Sequence, residues 1–234
     1  QGHTYELDQK LDDKLDATFP FTLTADQERA WSDVRDDLAG DAVMDRLIVG
    51  DVGFGKTELA LRAARHVVAN GKQVAVLAPT TLLVQQHTDT WRRRFPELAS
   101  NISTLSRFST AKELTQTRAA IASGETDIAI GTHALLSDRT KWKNLGLIII
   151  DEEQRFGVKQ KEHFKSIRAA VDMLSLSATP IPRTLSMSLS GIKQLSVIST
   201  APEGRQHVTT QVGRDSDDVL ESALTHELAR SGQI

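Results

Sequence analysis

A chain of 234 residues with 39% hydrophobic and 25% charged positions and 14 glycines has the composition of an ordinary globular protein, which excludes a disordered or fibrous chain. The absence of cysteine rules out a disulfide scaffold, a thiolate metal site and a cysteine nucleophile, and it suits a reducing, cytoplasmic setting. Net charge is only −3, but residues 1–50 carry 12 acids and 5 bases, residues 51–200 carry 13 and 20, and residues 201–234 carry 6 and 3. A polyanion would be drawn to that basic middle, although ordinary surface scatter accounts for the same numbers. No membrane partner is expected. The longest aliphatic run, Leu147 to Ile150, is far below the ~20 residues of a spanning helix, and no secretory signal opens the chain.

Residues 1–18 form an acidic extension that reads as the tail of an incoming linker helix. Thr24 and Gln27 then have capping-box spacing and open a helix that runs to Gly40, with Trp31, Val34 and Leu38 on one face. Between residues 46 and 200, short aliphatic runs alternate with helical patterns. Strands are predicted at 46–49, 73–77, 101–105, 127–130, 145–150, 173–176 and 195–198, and helices at 57–70, 81–94, 110–123, 158–170 and 181–190. Strand runs apolar on both faces and separated by helices define a parallel, doubly wound α/β sheet covered on both sides. Beyond a linker signal at Pro202-Glu-Gly204, residues 207–212 read as a strand and 216–230 as an amphipathic helix. The organisation expected is an extension at 1–18, a lobe at 19–200, and a linker with the start of a truncated second lobe at 201–234.

Gly50, Asp51, Val52, Gly53, Phe54, Gly55, Lys56 and Thr57 satisfy G-x-x-x-x-G-K-[ST] directly after a predicted strand and at the start of a predicted helix. Each part has a physical role. Glycines let backbone N–H groups turn inward as an anion nest, and the helix N-terminus adds its dipole. Lys56 then suits β/γ-phosphates and the Thr57 hydroxyl suits Mg²⁺, so ATP–Mg²⁺ is the expected ligand. A second carboxylate for that ion is available where the strand 145–150 ends, at Asp151-Glu152-Glu153-Gln154. Asp151 would bind magnesium, largely through water, and Glu152 would polarise an attacking water. The bland reading of the same acids is a solvated turn. His66, His87 and His163 sit on helices without paired ligand spacing, so no metal other than Mg²⁺ is read.

This P-loop, the Asp-Glu pair and the run Leu176-Ser-Ala-Thr-Pro180 together resemble motifs I, II and III of the superfamily 2 helicases and translocases. Phe19-Pro-Phe21, Met44-Asp-Arg-Leu47, Ala78-Pro-Thr-Thr-Leu82, Ile130-Gly-Thr-His133 and Arg155-Phe-Gly157 narrow the resemblance to the first RecA-like motor lobe of the bacterial transcription-repair coupling (Mfd) family, with the RecG branch-migration helicases next by pattern. Phe54 and the Met44–Leu47 lead-in favour the former. The resemblance covers residues 19 to about 212. It implies that Gln27 reads the adenine edge, with Phe19 or Phe21 near the base and Glu58 completing the P-loop; the capping box alone is the competing account of Gln27. It further implies that Ser177 and Thr179 relay between Gln154 and the nucleic-acid side, and that Thr80, Thr81, Arg107, Thr132 and His133 face DNA phosphates. Threonines at strand ends also cap helices, and both readings stay open. The family's fourth motif II position is ordinarily His; Gln154 keeps a donor and an acceptor but cannot become charged, so hydrolysis is expected to survive and coupling is what the change bears on. Arg92-Arg93-Arg94 beside Trp91 fits a nucleic-acid patch, but better a solvated, dipole-complementing helix end.

The resemblance implies a lobe of a double-stranded DNA translocase that works with a second motor lobe in cis, displaces stalled RNA polymerase, and recruits the repair protein UvrA through domains outside this segment. Fifty-five residues follow Thr179, too few for a second lobe. The chain alone is therefore expected to bind ATP–Mg²⁺ weakly and hydrolyse it poorly. Alternatives from other classes are a RecG-like branch-migration lobe, a non-catalytic nucleotide-binding or interaction module and, lacking any acceptor-pocket signature, a small-molecule kinase.

Overall fold

The computed structural model describes residues 2–106, 108–152, 156, 170–178, 194–202, 212–213 and 216–230. Seven strands form one sheet: β1 (Asp45–Gly50), β2 (Gln73–Leu77), β3 (Ile102–Leu105), β4 (Ile128–Gly131), β5 (Leu145–Asp151), β6 (Asp172–Ser177) and β7 (Gln194–Ile198). The order across the sheet is β3-β4-β2-β5-β6-β1-β7, and every pairing is parallel. All strand C-termini therefore lie along one edge, where ligands bind in open α/β sheets.

Period-two alternation sorts the strand side chains onto two apolar layers. Val74, Val76, Ile128, Ile130, Leu147 and Ile149 join a core cluster with Trp31, Leu38 and Leu59 on one face. Ala75, Leu77, Ala129, Ile148 and Ile150 join Leu105, Ile121 and Leu135 on the other. Among the described residues, this body contains the helices α1 (Gln9–Thr18), α2 (Ala25–Ala39), α3 (Lys56–Ala69), α4 (Thr81–Arg94) and α5 (Ala111–Ser123). The expected capping box of α2 is formed, as is a second one at Thr110 and Glu113 that opens α5. Gly124 closes α5 in the left-handed conformation, which lets the chain turn at once into β4.

The extension at 1–18 belongs to the same packing. Tyr5 is buried and its hydroxyl donates to the Gly146 carbonyl at 2.9 Å. Leu15 enters the core cluster, and Asp12, on the same helix, meets His66 of α3 at 2.9 Å and Arg35 of α2 at 3.0 Å. The chain divides into two compact units, Gln1–Glu203 and Gly204–Ile234. The second contains α6 (Asp217–Ala229), which begins with Asp217 and Asp218 in its first turn, a charge placement that complements the helix dipole. The predicted helices at 158–170 and 181–190 fall almost wholly outside the described residues, as does nearly all of the strand expected at 207–212.

Candidate functional site

The turn from β1 into α3 is built by its glycines. Gly53 and Gly55 have φ of 82° and 77°, in the region that side chains disfavour. A Cβ on Gly55 would also lie 2.3 Å from Gln27 Nε2. Gly50 answers a different need, since a Cβ there would press the Ile198 carbonyl of β7 at 3.0 Å. The result is a loop wrapped around the N-terminus of a 14-residue helix, with Val52 exposed and Phe54 buried beneath it. Lys56 is buried at the first helical position, and its Nζ donates to the Asp51 carbonyl at 2.9 Å and to the Gly50 carbonyl. The ammonium thus stands at the mouth of the nest, where an anion's charge is best met.

Gln27 reaches this loop from α2. Its Oε1 accepts from the Thr24 N–H at 2.7 Å while its Nε2 donates to the Phe54 carbonyl at 2.9 Å. One side chain therefore closes the capping box and anchors the loop together. Phe19 and Phe21 pack edge to face, 5.6 Å apart. The guanidinium groups of Arg62 and Arg94 each lie 5.8 Å from the Phe19 ring, while Phe21 is exposed. The Glu58 carboxylate is held by Arg62 Nε at 3.0 Å and Arg94 Nη2 at 2.8 Å. Arg94 goes on to the Leu15 carbonyl at 2.7 Å and the Thr18 hydroxyl. The basic run at the end of α4 is in part the solvated terminus expected, with Arg92 and Arg93 exposed in the last turn; Arg94 instead locks α1, α3 and α4 together, Arg92 also donates to the Ile102 carbonyl, and Trp91 is core.

Asp151 ends β5 on the same edge of the sheet. The register aligns Asp151 with Leu176 of β6, and Leu176 with Ile48 of β1, so β6 lies between the acid and the strand that feeds the loop. Two strand spacings amount to roughly 9–10 Å, a gap that phosphate oxygens and a hydrated ion would fill. Glu152 follows with φ of 54°, the one non-glycine residue at positive φ among those described, and its N–H donates to the Leu176 carbonyl at 2.9 Å. A β-carbon in this region is strained, a condition that clusters at functional positions. Ser177, which ends β6, is buried. Gln154 and Thr179 lie outside the described residues. Among the described residues no three His, Asp or Glu side chains form a metal cluster. The donors present fit magnesium in the manner it prefers, with few protein oxygens and the rest from phosphate and water.

Thr80, Thr81, Thr132 and His133 line one cleft of about 490 Å³ at the C-terminal edge, together with Ser106 and Arg118. Thr80 caps α4, its hydroxyl accepting from the Leu83 N–H at 3.3 Å, so capping and a surface role coexist. Gly131 is required there, since a Cβ would meet the Leu105 carbonyl at 2.4 Å. Arg107 lies outside the described residues. Sequence reasoning did not reach Arg118, which α5 brings to the cleft.

The two helical histidines His66 and His87, which lack metal-ligand spacing in the sequence, each meet a carboxylate in the fold. His66 meets Asp12, and His87 Nε2 lies 2.8 Å from Asp151 Oδ2.

The fold and this edge define a helicase-type domain. A DEAD/DEAH box helicase family model matches residues 24–188, and the chain belongs to that family. It is 50% identical to the transcription-repair-coupling factors of Haemophilus influenzae and Escherichia coli, and 48% identical to that of Bacillus subtilis, in each case over the whole chain and 20% of the relative. The chain thus spans about a fifth of the length of these curated relatives. Among solved structures, RecG bound to a three-way DNA junction matches with a TM-score of 0.86 and 33% identity, over 99% of this chain and 31% of that one. The helicase MrfA shares the fold at a TM-score of 0.68 and 22% identity, over 96% of this chain and 37% of its own. The seven-stranded parallel sheet is accordingly the RecA-like fold of these helicases. No helix among the described residues is long and apolar enough to cross a membrane.

Proposed function

We propose that residues 19–200 are the ATP-binding first motor lobe of a double-stranded DNA translocase of the transcription-repair-coupling type, and that 201–234 lead toward its second lobe. The observation that carries this reading is the shared edge: the 50–57 loop, with Lys56 at its mouth, and the Asp151–Glu152 tip stand two strands apart in register. In this role Lys56, now on the Gly50 and Asp51 carbonyls, would meet the β/γ-phosphates, and Thr57 and Asp151 would hold Mg²⁺. Bound ATP–Mg²⁺ would supply the scissile β–γ bond and the charge that neutralises its oxygens. Glu152 orients and deprotonates water, its backbone fixed by the hydrogen bond to Leu176. Phe19, Phe21 and Gln27 flank the base side of the loop. Ser177, with Thr179 and Gln154, connects the nucleotide to the nucleic-acid side.

The cleft of Thr80, Thr81, Thr132 and His133, with Arg107, is the proposed track for DNA phosphates. Hydroxyls, an imidazole and a cation suit a sequence-independent grip. Displacement of RNA polymerase and recruitment of UvrA would belong to the longer protein. The 50% identity to coupling factors favours this over a branch-migration lobe like that of RecG. The test is ATP hydrolysis with and without duplex DNA, in this chain and in a longer protein that carries a second lobe. Weak turnover by the chain, with DNA stimulation in the longer protein that Lys56→Ala abolishes, supports the reading. Strong turnover by the chain alone, or a longer protein indifferent to DNA, contradicts it.

A further inference from the structure

The carboxylate at the end of β5 is not left to solvent. His87 is carried on α4 with its ring only partly exposed, and its Nε2 lies 2.8 Å from Asp151 Oδ2; side-chain exposures are 11% and 17%. A carboxylate oxygen accepts, so the ring N–H donates, and one of the two Asp151 oxygens is fixed in direction. The helix that holds His87 is itself anchored: Thr88, the next residue, donates to the Val84 carbonyl at 2.8 Å and meets Thr104 of β3 at 3.1 Å, and Trp91 one turn on is core. His87 therefore cannot drift without moving α4. The N-terminus of that helix, Thr80 and Thr81, is a wall of the cleft described above. Six residues of helix, about 9 Å, separate Thr81 from His87.

We infer that His87 is a positioning residue for Asp151, and that α4 makes the setting of this carboxylate respond to whatever occupies the Thr80–Thr132 cleft. The inference rests on the reading of Asp151 as the magnesium carboxylate. Hydrogen bonds to ligating carboxylates fix their orientation, and their loss typically weakens metal affinity about 10- to 100-fold. Because Asp151 would act largely through water, the lower end is expected. A glutamine at position 87 can place an amide donor near the Nε2 position; an alanine cannot.

The experiment is a titration of Mg²⁺ against binding of a fluorescent ADP to the 234-residue chain, with and without a duplex oligonucleotide, for the wild type, His87→Ala and His87→Gln. Thermal unfolding of each variant is run alongside. The expected result is an approximately tenfold higher Mg²⁺ midpoint in His87→Ala, recovery in His87→Gln, and a midpoint that duplex shifts in the wild type but not in His87→Ala. Equal midpoints for wild type and His87→Ala would overturn the positioning role. A wild-type midpoint that duplex leaves unchanged would overturn the link through α4. Nucleotide binding that is indifferent to Mg²⁺ and to Lys56→Ala would instead remove the ATPase reading, and this inference with it.

Discussion

Gln27 and Phe54 are joined across the mouth of the domain: the Gln27 amide donates to the Phe54 carbonyl at 2.9 Å while its oxygen closes the α2 capping box at 2.7 Å. The helix that precedes the sheet and the turn that follows β1 are therefore one mechanical unit. A ligand that asks the Gln27 amide for a hydrogen bond must draw that bond from the loop.

Gln27→Glu tests this link. It keeps an oxygen for the Thr24 N–H but sets a second oxygen against the Phe54 carbonyl, leaving a buried acceptor facing an acceptor. Unsatisfied buried groups cost about 1–3 kcal/mol. Urea unfolding should report a loss of that size, with nucleotide affinity falling alongside. An unchanged midpoint would mean that the Gln27 donor carries no weight.

Glu58 directly follows the Gly50–Thr57 run, and its side chain is 6% exposed and bridges two arginines. Removing one member of a buried ion cluster leaves the others uncompensated, at about 3–5 kcal/mol. Glu58→Ala should accordingly destabilise the lobe by that order in urea unfolding. Limited proteolysis should show early release of α1, because Arg94 loses the partner that holds it near Leu15.

Two aspartates pull the acid limb in opposite directions. Asp26 accepts the Ser199 N–H, the Thr200 hydroxyl and the Thr200 N–H, and with Arg29 nearby its carboxyl is held below the usual range. Its stabilisation is present above the unfolded-state carboxylate value and is lost as pH falls through the lower folded value. Asp172 is raised by burial, against the opposing hydrogen bond from the Met44 N–H. There the folded state holds its proton longer, so stability declines as pH rises from the unfolded value through the folded one. Urea unfolding from about pH 3 to about pH 7 should show Asp26→Asn with a shallower loss toward acid. Asp172→Asn, which retains an oxygen for Met44, should show a shallower decline toward neutrality. Profiles that match the wild type would contradict both assignments.

Much of this architecture could be read from residue order because parallel strands buried on both faces must be aliphatic throughout. Leu147 to Ile150 and Val74 to Leu77 have no other comfortable home. The turn from β1 into α3 was equally legible, since its shape is local and depends on glycines at fixed offsets. What escaped was long-range pairing. His87 and Asp151 are 64 positions apart, and neither segment alone announces the other. The helix at 9–18 was read as the tail of a linker, but its packing onto the lobe was not legible: only Leu15 and Asp12 are buried, and the partners of Asp12, His66 and Arg35, lie on later helices. The placement of β6 between β5 and β1 is likewise a property of topology, not of any local pattern.

In the proposed function, one ion and one triphosphate are held jointly by the 50–57 loop and the tip of β5. Replacing Mg²⁺ with Mn²⁺ in the presence of nucleotide and following paramagnetic broadening of backbone amides tests this directly. Broadening that rises together at Gly53 to Thr57 and at Asp151 and Glu152, and vanishes from both in Lys56→Ala, is the predicted result. Broadening confined to one of the two segments, or centred elsewhere on the sheet, would contradict the account.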